Sequence, residues 1–484
     1  MLKRLNHLTT LTLAILACGF GCKLRADVRL PHILGSHMVV QREKPIVVWG
    51  WADPSEKVTV QFAGLTTSTA TGIDGRWTIR LPPQKANPSP QKLTVSGTNS
   101  IELTDVLIGE VWLCSGQSNM RWIMTKTEHG KTEIPKASYP RIRLFGIKER
   151  TAATPQDDLE HEWTACTPVS VAGFSAVAYH FGQNLHTELG VPIGLIRSAW
   201  GGTEIEPWIP QEGLEEVASL RRYADQIKSL TKASAVDQRT PSAIYNAMIH
   251  PLAPFSIRGI IWYQGESNCV KGDTAIYTTK TLALAHGWRR VFQQSDLPFY
   301  FVQIAPFPYS KRYKERTPSL DETSLPRFWE AQTACLKVVP NCGMVVITDI
   351  TGDVNDIHPR NKRDVGHRLA RWALAKNFGR DGLTYSGPIY KGMVARDGNV
   401  VLSFRHRGNG LKSLDGKELT HFEIAGTDKK FVPAKAVIKG DGVTVSSPRV
   451  PNPLAVRFAW GETAIANFGN SEGLPAAPFR TDKW

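Results

Sequence analysis

The chain is poor in cysteine and, past its first residues, has no long apolar run. Seven cysteines are spread over 484 residues, with no CxxC pair and no Cys/His spacing of the zinc-binding kind. A disulfide-stapled miniature fold and a structural zinc module are both excluded on those grounds. The one apolar stretch, residues 8–20, is too short to span a bilayer. No short internal repeat is visible. Lysine and arginine outnumber acidic residues 58 to 44, a formal charge of +14, but they are scattered. The densest runs, KRYKER at 311–316 and RNKR at 360–363, lack the basic and aromatic array of a nucleic-acid module. A solvated surface is the expectation, with attraction to acidic glycans as the alternative.

The amino terminus reads as an export signal. Lys3 and Arg4 precede the apolar run, and a polar stretch ends at Ala26. Cleavage there makes the mature protein secreted or periplasmic, with no stable membrane insertion. Cys18, after Ile15-Leu16-Ala17, offers a competing lipoprotein site. Removing residues 1–26 takes away Lys3, Arg4, Lys23 and Arg25 and lowers the charge to +10. Five cysteines remain, an odd number, with Cys335 and Cys342 as the candidate bridge.

At 484 residues the chain exceeds what one core usually organises, so several domains are expected. Apolar residues at 42% and charged residues at 21% mark an ordinary globular protein. Residues 27–105 alternate short apolar strands with turns, as in IVVWGWA, KVTVQFAG and GRWTIRL, and read as a β-sandwich. From 106 to 384, strand-like runs alternate with helical periods, the pattern of a mainly parallel sheet covered on both faces. The strands expected are VLIGEVWLC, RIRLFGI, PIGLIRSAW, IRGIIWYQG, FYFVQIAPF and GMVVITDI. The helices are expected at 176–189, 275–292, 325–339 and 363–376. Residues 385–484 return to strands and turns, a second all-β module.

In an open α/β sheet, ligands bind at the carboxyl ends of the strands. Ser118 follows VLIGEVWLC beside Gly116, which permits a tight turn. A serine nucleophile needs a histidine base and a carboxylate to orient it. The segment after GMVVITDI supplies Asp353, Asp356 and His358. Donors for a tetrahedral oxyanion are sought at two other strand ends: Gly201-Gly202-Thr203, and Gln264-Gly265-Glu266-Ser267-Asn268. Trp112, Trp200 and Trp262 read as core, and Trp208 in EIEPW as the substrate-contact candidate.

Ser118 in GQSNM, followed in order by WGGTEIEPW, YNAMIHPL, WYQGESN and DIHPRNK, resembles the sialate O-acetylesterase family of the SGNH hydrolase superfamily. LPHILGSHMVVQREKPIVVWGWA resembles that family's amino-terminal segment, so the likeness covers roughly residues 28–380. The resemblance implies a three-layer α/β/α core, no metal or organic cofactor, and an acetylated glycan as substrate. It makes Ser118 the nucleophile and first oxyanion donor and His358 the general base. Gly202 and Gln264 become the further donors, with Asn268 as competitor, and Glu266 orients the loop. Many SGNH enzymes place the acid three residues before the histidine, where this chain has Asn355. Asp356, two residues before it, matches the DIHP form and is preferred to Asp353, with an unassisted Ser–His dyad as the alternative. Trp329 in LPRFWEAQ stands where the resemblance implies arginine. The function expected is therefore removal of O-acetyl groups from carbohydrate, sialate or a polysaccharide such as xylan. The rivals are a non-catalytic carbohydrate-binding protein and an exported serine peptidase.

Overall fold

The computed structural model describes residues 27–484. The expected export signal and Cys18 lie outside the described residues. At its centre is a sheet ordered Cys342–Val345, Phe299–Val302, Gly259–Tyr263, Ser100–Gly116, Ile193–Ala199, Tyr139–Gly146, Thr164–Cys166. All neighbours are parallel except the last pair, where the short edge strand Thr164–Cys166 runs antiparallel.

Because successive strand residues face opposite sides, the unbroken apolar runs feed two cores. Trp112, Cys114, Ile261 and Tyr263 join one, beneath helices Ala176–Leu189 and Lys362–Asn377. Val111, Leu113, Ile260 and Trp262 join the other, beneath Thr274–Val291 and Ser324–Val338. This is the three-layer arrangement expected, and the four long helices begin and end within a residue of their expected bounds.

The strand Ser100–Gly116 continues through residue 105, with a bulge at Asp105, where φ is +56°. Its first half pairs with Asn87–Ser96 and, in parallel, with Val39–Gln41 in the amino-terminal β layers. Its second half is a central strand of the parallel sheet. Glu110, fully buried near its middle, accepts hydrogen bonds from Arg42 and Gln41 of the β layers and from Arg258, which precedes the neighbouring core strand. A buried carboxylate needs such partners to offset lost hydration.

The carboxyl-terminal strands form a four-stranded antiparallel sheet, Ile389–Arg396, Asn399–Arg405, Gly442–Ser446 and Lys435–Lys439, a second four-stranded sheet of shorter strands and a two-stranded one. They close on a core rich in phenylalanine, including Phe404, Phe422, Phe458 and Phe468. Glu462 from this module caps the turn at Ser310, accepting its N–H at 3.0 Å and its hydroxyl at 2.7 Å. Cys335 and Cys342 are not bridged; the Cys342 thiol points at the Cys335 carbonyl, 3.5 Å away. Among the described residues, no helix is long and apolar enough to cross a membrane.

Candidate active site

Three neighbouring strand ends build the floor. Gly116 lies between Ala199 and Tyr263 in register. There the backbones pass so closely that a Cβ on Gly116 would sit 2.1 Å from the Tyr263 carbonyl oxygen, and its φ is +140°. Only glycine tolerates both. The chain turns at Gln117 into the short helix Ser118–Arg121, leaving Ser118 partly exposed at its start, where N–H groups lack intrahelical acceptors. Gln117 Oε1 accepts the N–H groups of Gly265 and Ser267, each at 3.3 Å, tying this turn to the next strand's loop.

His358 arrives from further away. Its loop leaves the edge strand Cys342–Val345 and returns past two intervening strands to reach the turn at Ser118. There His358 Nε2 is 3.0 Å from Ser118 Oγ. Trp122 stacks on the imidazole, with ring centroids 4.5 Å apart and planes 19° from parallel. Burial lowers the His358 pKa, nearby Lys362 and Lys126 lower it further, and Asp356 acts in the opposite sense. The imidazole is thereby kept neutral at neutral pH, as a proton acceptor must be. Asp356 Oδ1 accepts the His358 main-chain N–H at 2.9 Å and lies 3.8 Å from Nδ1. Asp353 instead binds the Asn355 N–H and carboxamide.

Gly201 abuts the serine: a Cβ there would meet Ser118 Cβ at 3.4 Å. Gly202, at φ +74°, faces open space. Among the described residues neither glycine N–H is taken by a backbone hydrogen bond.

Three other expected residues sit elsewhere in the architecture. Gln264 is fully buried; its amide donates to Asn268 Oδ1 (2.7 Å) and the Thr203 carbonyl (3.2 Å), and its Oε1 accepts from Tyr277. With both N–H groups engaged it does not fit as an oxyanion donor. Asn268, also fully buried, receives the Ile205 N–H and donates to Glu206 and Asp273. It braces the loop from within. Glu206 anchors this network: burial alone would raise its pKa, but Lys280 and Lys271, with hydrogen bonds from Lys280 and Asn268, bring it down to about 2. Trp208 is buried, donates to Thr203 Oγ1 at 3.0 Å and packs edge-on against Trp262, so it is core and not a sugar platform. Trp329 is likewise buried and donates to the Ile304 carbonyl.

Glu266 reaches the Ser118 turn through Asn119, which was not among the expected site residues. Its Oε1 accepts from Asn119 Nδ2 at 2.5 Å. Asn119, Trp122 and Lys362 all lie in or beside quoted motifs, and their nearness in sequence to Ser118 and His358 was the available signal. Among the described residues, no group of three or more His, Cys, Asp or Glu side chains is arranged to hold a metal.

A family model described as carbohydrate esterase, sialic acid-specific acetylesterase matches residues 108–375, more than half of the chain. A crystal structure of a carbohydrate acetylesterase from Xanthomonas citri is similar at 36% identity and TM-score 0.85, covering 95% of this chain and 100% of that one. The sialate O-acetylesterases of Homo sapiens and Pongo abelii are each 28% identical, covering 93% of this chain and 92% of theirs. The chain belongs to the sialic acid-specific acetylesterase family of carbohydrate esterases and is a carboxylic ester hydrolase.

Proposed function

We propose that this protein is an exported enzyme that removes O-acetyl groups from sialic acid-bearing glycans by an acyl-enzyme mechanism. The observation that carries the mechanism is the 3.0 Å approach of His358 Nε2 to Ser118 Oγ. His358 takes the hydroxyl proton as Ser118 attacks the acetyl carbonyl carbon. The N–H groups of Ser118 and Gly202 receive the oxyanion. Collapse expels the sugar alkoxide, which takes the proton back from His358, and leaves an acetyl-serine. His358 then deprotonates water, whose attack releases acetate and restores Ser118. Asp356 holds the histidine loop and favours the imidazolium electrostatically. Lys3, Arg4 and the apolar run after them support export, with cleavage near Ala26.

The mechanism is tested by hydrolysis of 4-nitrophenyl acetate. Ser118→Ala should lower kcat by about 10³-fold or more; equal rates for variant and wild type would refute the scheme. Acetate release across acetylated sialosides and acetylated xylo-oligosaccharides tests the substrate, and preference for the xylo-oligosaccharides would overturn the sialate reading. Mass spectrometry of the mature protein tests export, with a chain beginning at Asp27 expected and an unprocessed amino terminus as the contrary result.

A further inference from the structure

Directly behind the Ser118 and His358 pair lies a buried polar cluster that the acyl-transfer steps do not use. Asn119, Glu266 and Lys362 are exposed by 0%, 2% and 0%. They come from three different chain segments: the residue after the nucleophile, the start of helix Glu266–Lys271, and the start of helix Lys362–Asn377. Asn119 is their meeting point. Its Oδ1 accepts from Lys362 Nζ, and its Nδ2 donates to Glu266 Oε1 and, at 3.1 Å, to the carbonyl oxygen of Ile357.

That last contact is the informative one. The Ile357 carbonyl and the His358 N–H belong to one peptide unit. Asn119 holds its oxygen and Asp356 Oδ1 holds its N–H at 2.9 Å. The peptide that carries the imidazole is therefore fixed at both ends. The orientation of the Asn119 amide is also set twice over. The Ile357 carbonyl can only accept, so Nδ2 must face it, and Lys362 donates from the other side.

We propose that Asn119 is a positioning residue for the esterase reaction: its carboxamide, locked by Lys362 and Glu266, grips the Ile357 peptide and registers the His358 imidazole against the hydroxyl of the adjoining Ser118. The inference rests on the Ser118 and His358 reading above. Its chemical sense is that a loop reaching back from an edge strand needs a fixed reference to the nucleophile, because small misplacements of reacting groups are costly. The cluster's electrostatics agree with that role. Burial lowers the Lys362 pKa to about 7 and raises that of Glu266. Lys362 faces Glu266 and Asp356, and His358 faces Lys362, Lys126 and Asp356.

The test compares Ser118→Ala, Asn119→Ala and Lys362→Met in the full chain, with 4-nitrophenyl acetate as substrate. Rates are expressed per folded molecule, from circular dichroism. Asn119→Ala is expected to lower kcat by about 100-fold with little change in KM. Lys362→Met removes a cation that depresses the His358 pKa, so the acidic limb of its kcat/KM profile should move to higher pH. That shift reports the Lys362 charge alone; the positioning is read in kcat, which should also fall in Lys362→Met because the Asn119 carboxamide oxygen loses its donor. An inactive Ser118→Ala with wild-type kcat in Asn119→Ala overturns the positioning role alone. An active Ser118→Ala overturns the serine mechanism itself. Should Asn119→Ala fail to fold, Lys362→Met decides: a wild-type kcat overturns the proposal, and a lowered kcat at unchanged KM supports it.

Discussion

The carboxylate of Asp356 meets His358 through the main chain: Oδ1 lies 2.9 Å from the His358 nitrogen but 3.8 Å from Nδ1. Asp356→Asn keeps an oxygen for that main-chain bond and deletes the charge. Where an aspartate bonds Nδ1 directly, its loss costs about 10⁴-fold; here the expected fall in kcat is about 10- to 100-fold. Asp356 also raises the His358 pKa against burial and Lys362. In the variant the acidic limb of kcat/KM should therefore move to lower pH, opposite to Lys362→Met. A pH series of initial rates reads both shifts.

His180 governs a different pH dependence. It is 1% exposed on helix Ala176–Leu189, its Nε2 has no hydrogen-bond partner among the described residues, and burial takes its pKa from 6.5 to about 3. Below pH 6.5 the unfolded chain binds a proton that the folded one refuses, so stability falls as pH drops towards 3. The contribution is at most about 1.4 kcal/mol per pH unit. His180→Leu should flatten that slope, as seen in urea unfolding at pH 7, 5 and 4.

Two glycines near the serine should separate stability from catalysis. Gly116→Ala puts a methyl against the Tyr263 carbonyl at an unfavourable φ, and should destabilise the fold by about 3 kcal/mol or more. Gly201→Ala meets Ser118 at an ordinary contact distance. It should leave the melting temperature nearly unchanged while lowering kcat/KM, because the methyl stands beside the attacking hydroxyl.

Trp208→Phe should behave as a core substitution. It deletes the bond to Thr203, whose own hydroxyl donates to the Trp200 carbonyl and braces the Gly201-Gly202 turn. A stability loss of about 1–3 kcal/mol is expected, with unchanged ranking of acetylated sugars. A changed ranking would return Trp208 to the substrate.

The fold was legible because its strands are long apolar runs and its helices keep a clean 3.6-residue period. Ser118 and His358 were legible because glycine-rich turns and polar residues clustered after those runs. Roles within the loops were harder to read. Gln264 and Asn268 carry side chains suited to donate to substrate, and only the neighbours Tyr277, Glu206 and Asp273, distant or unremarkable in sequence, show that their donors are spent. Trp208 failed for the same reason: a tryptophan in a loop looks like a platform until its burial against Trp262 is seen. Lys362 carried the opposite trap, a lysine in a basic run that is entirely buried.

The seventeen-residue strand Ser100–Gly116 gives the enzyme one mechanical spine. Ser118 sits just past its tip, while its other end is woven into the amino-terminal β layers. Cutting those layers away would remove the pairing partners of the strand that leads to Ser118. Heat or denaturant should melt layers and catalytic sheet in one cooperative transition, and esterase activity should vanish in step with it.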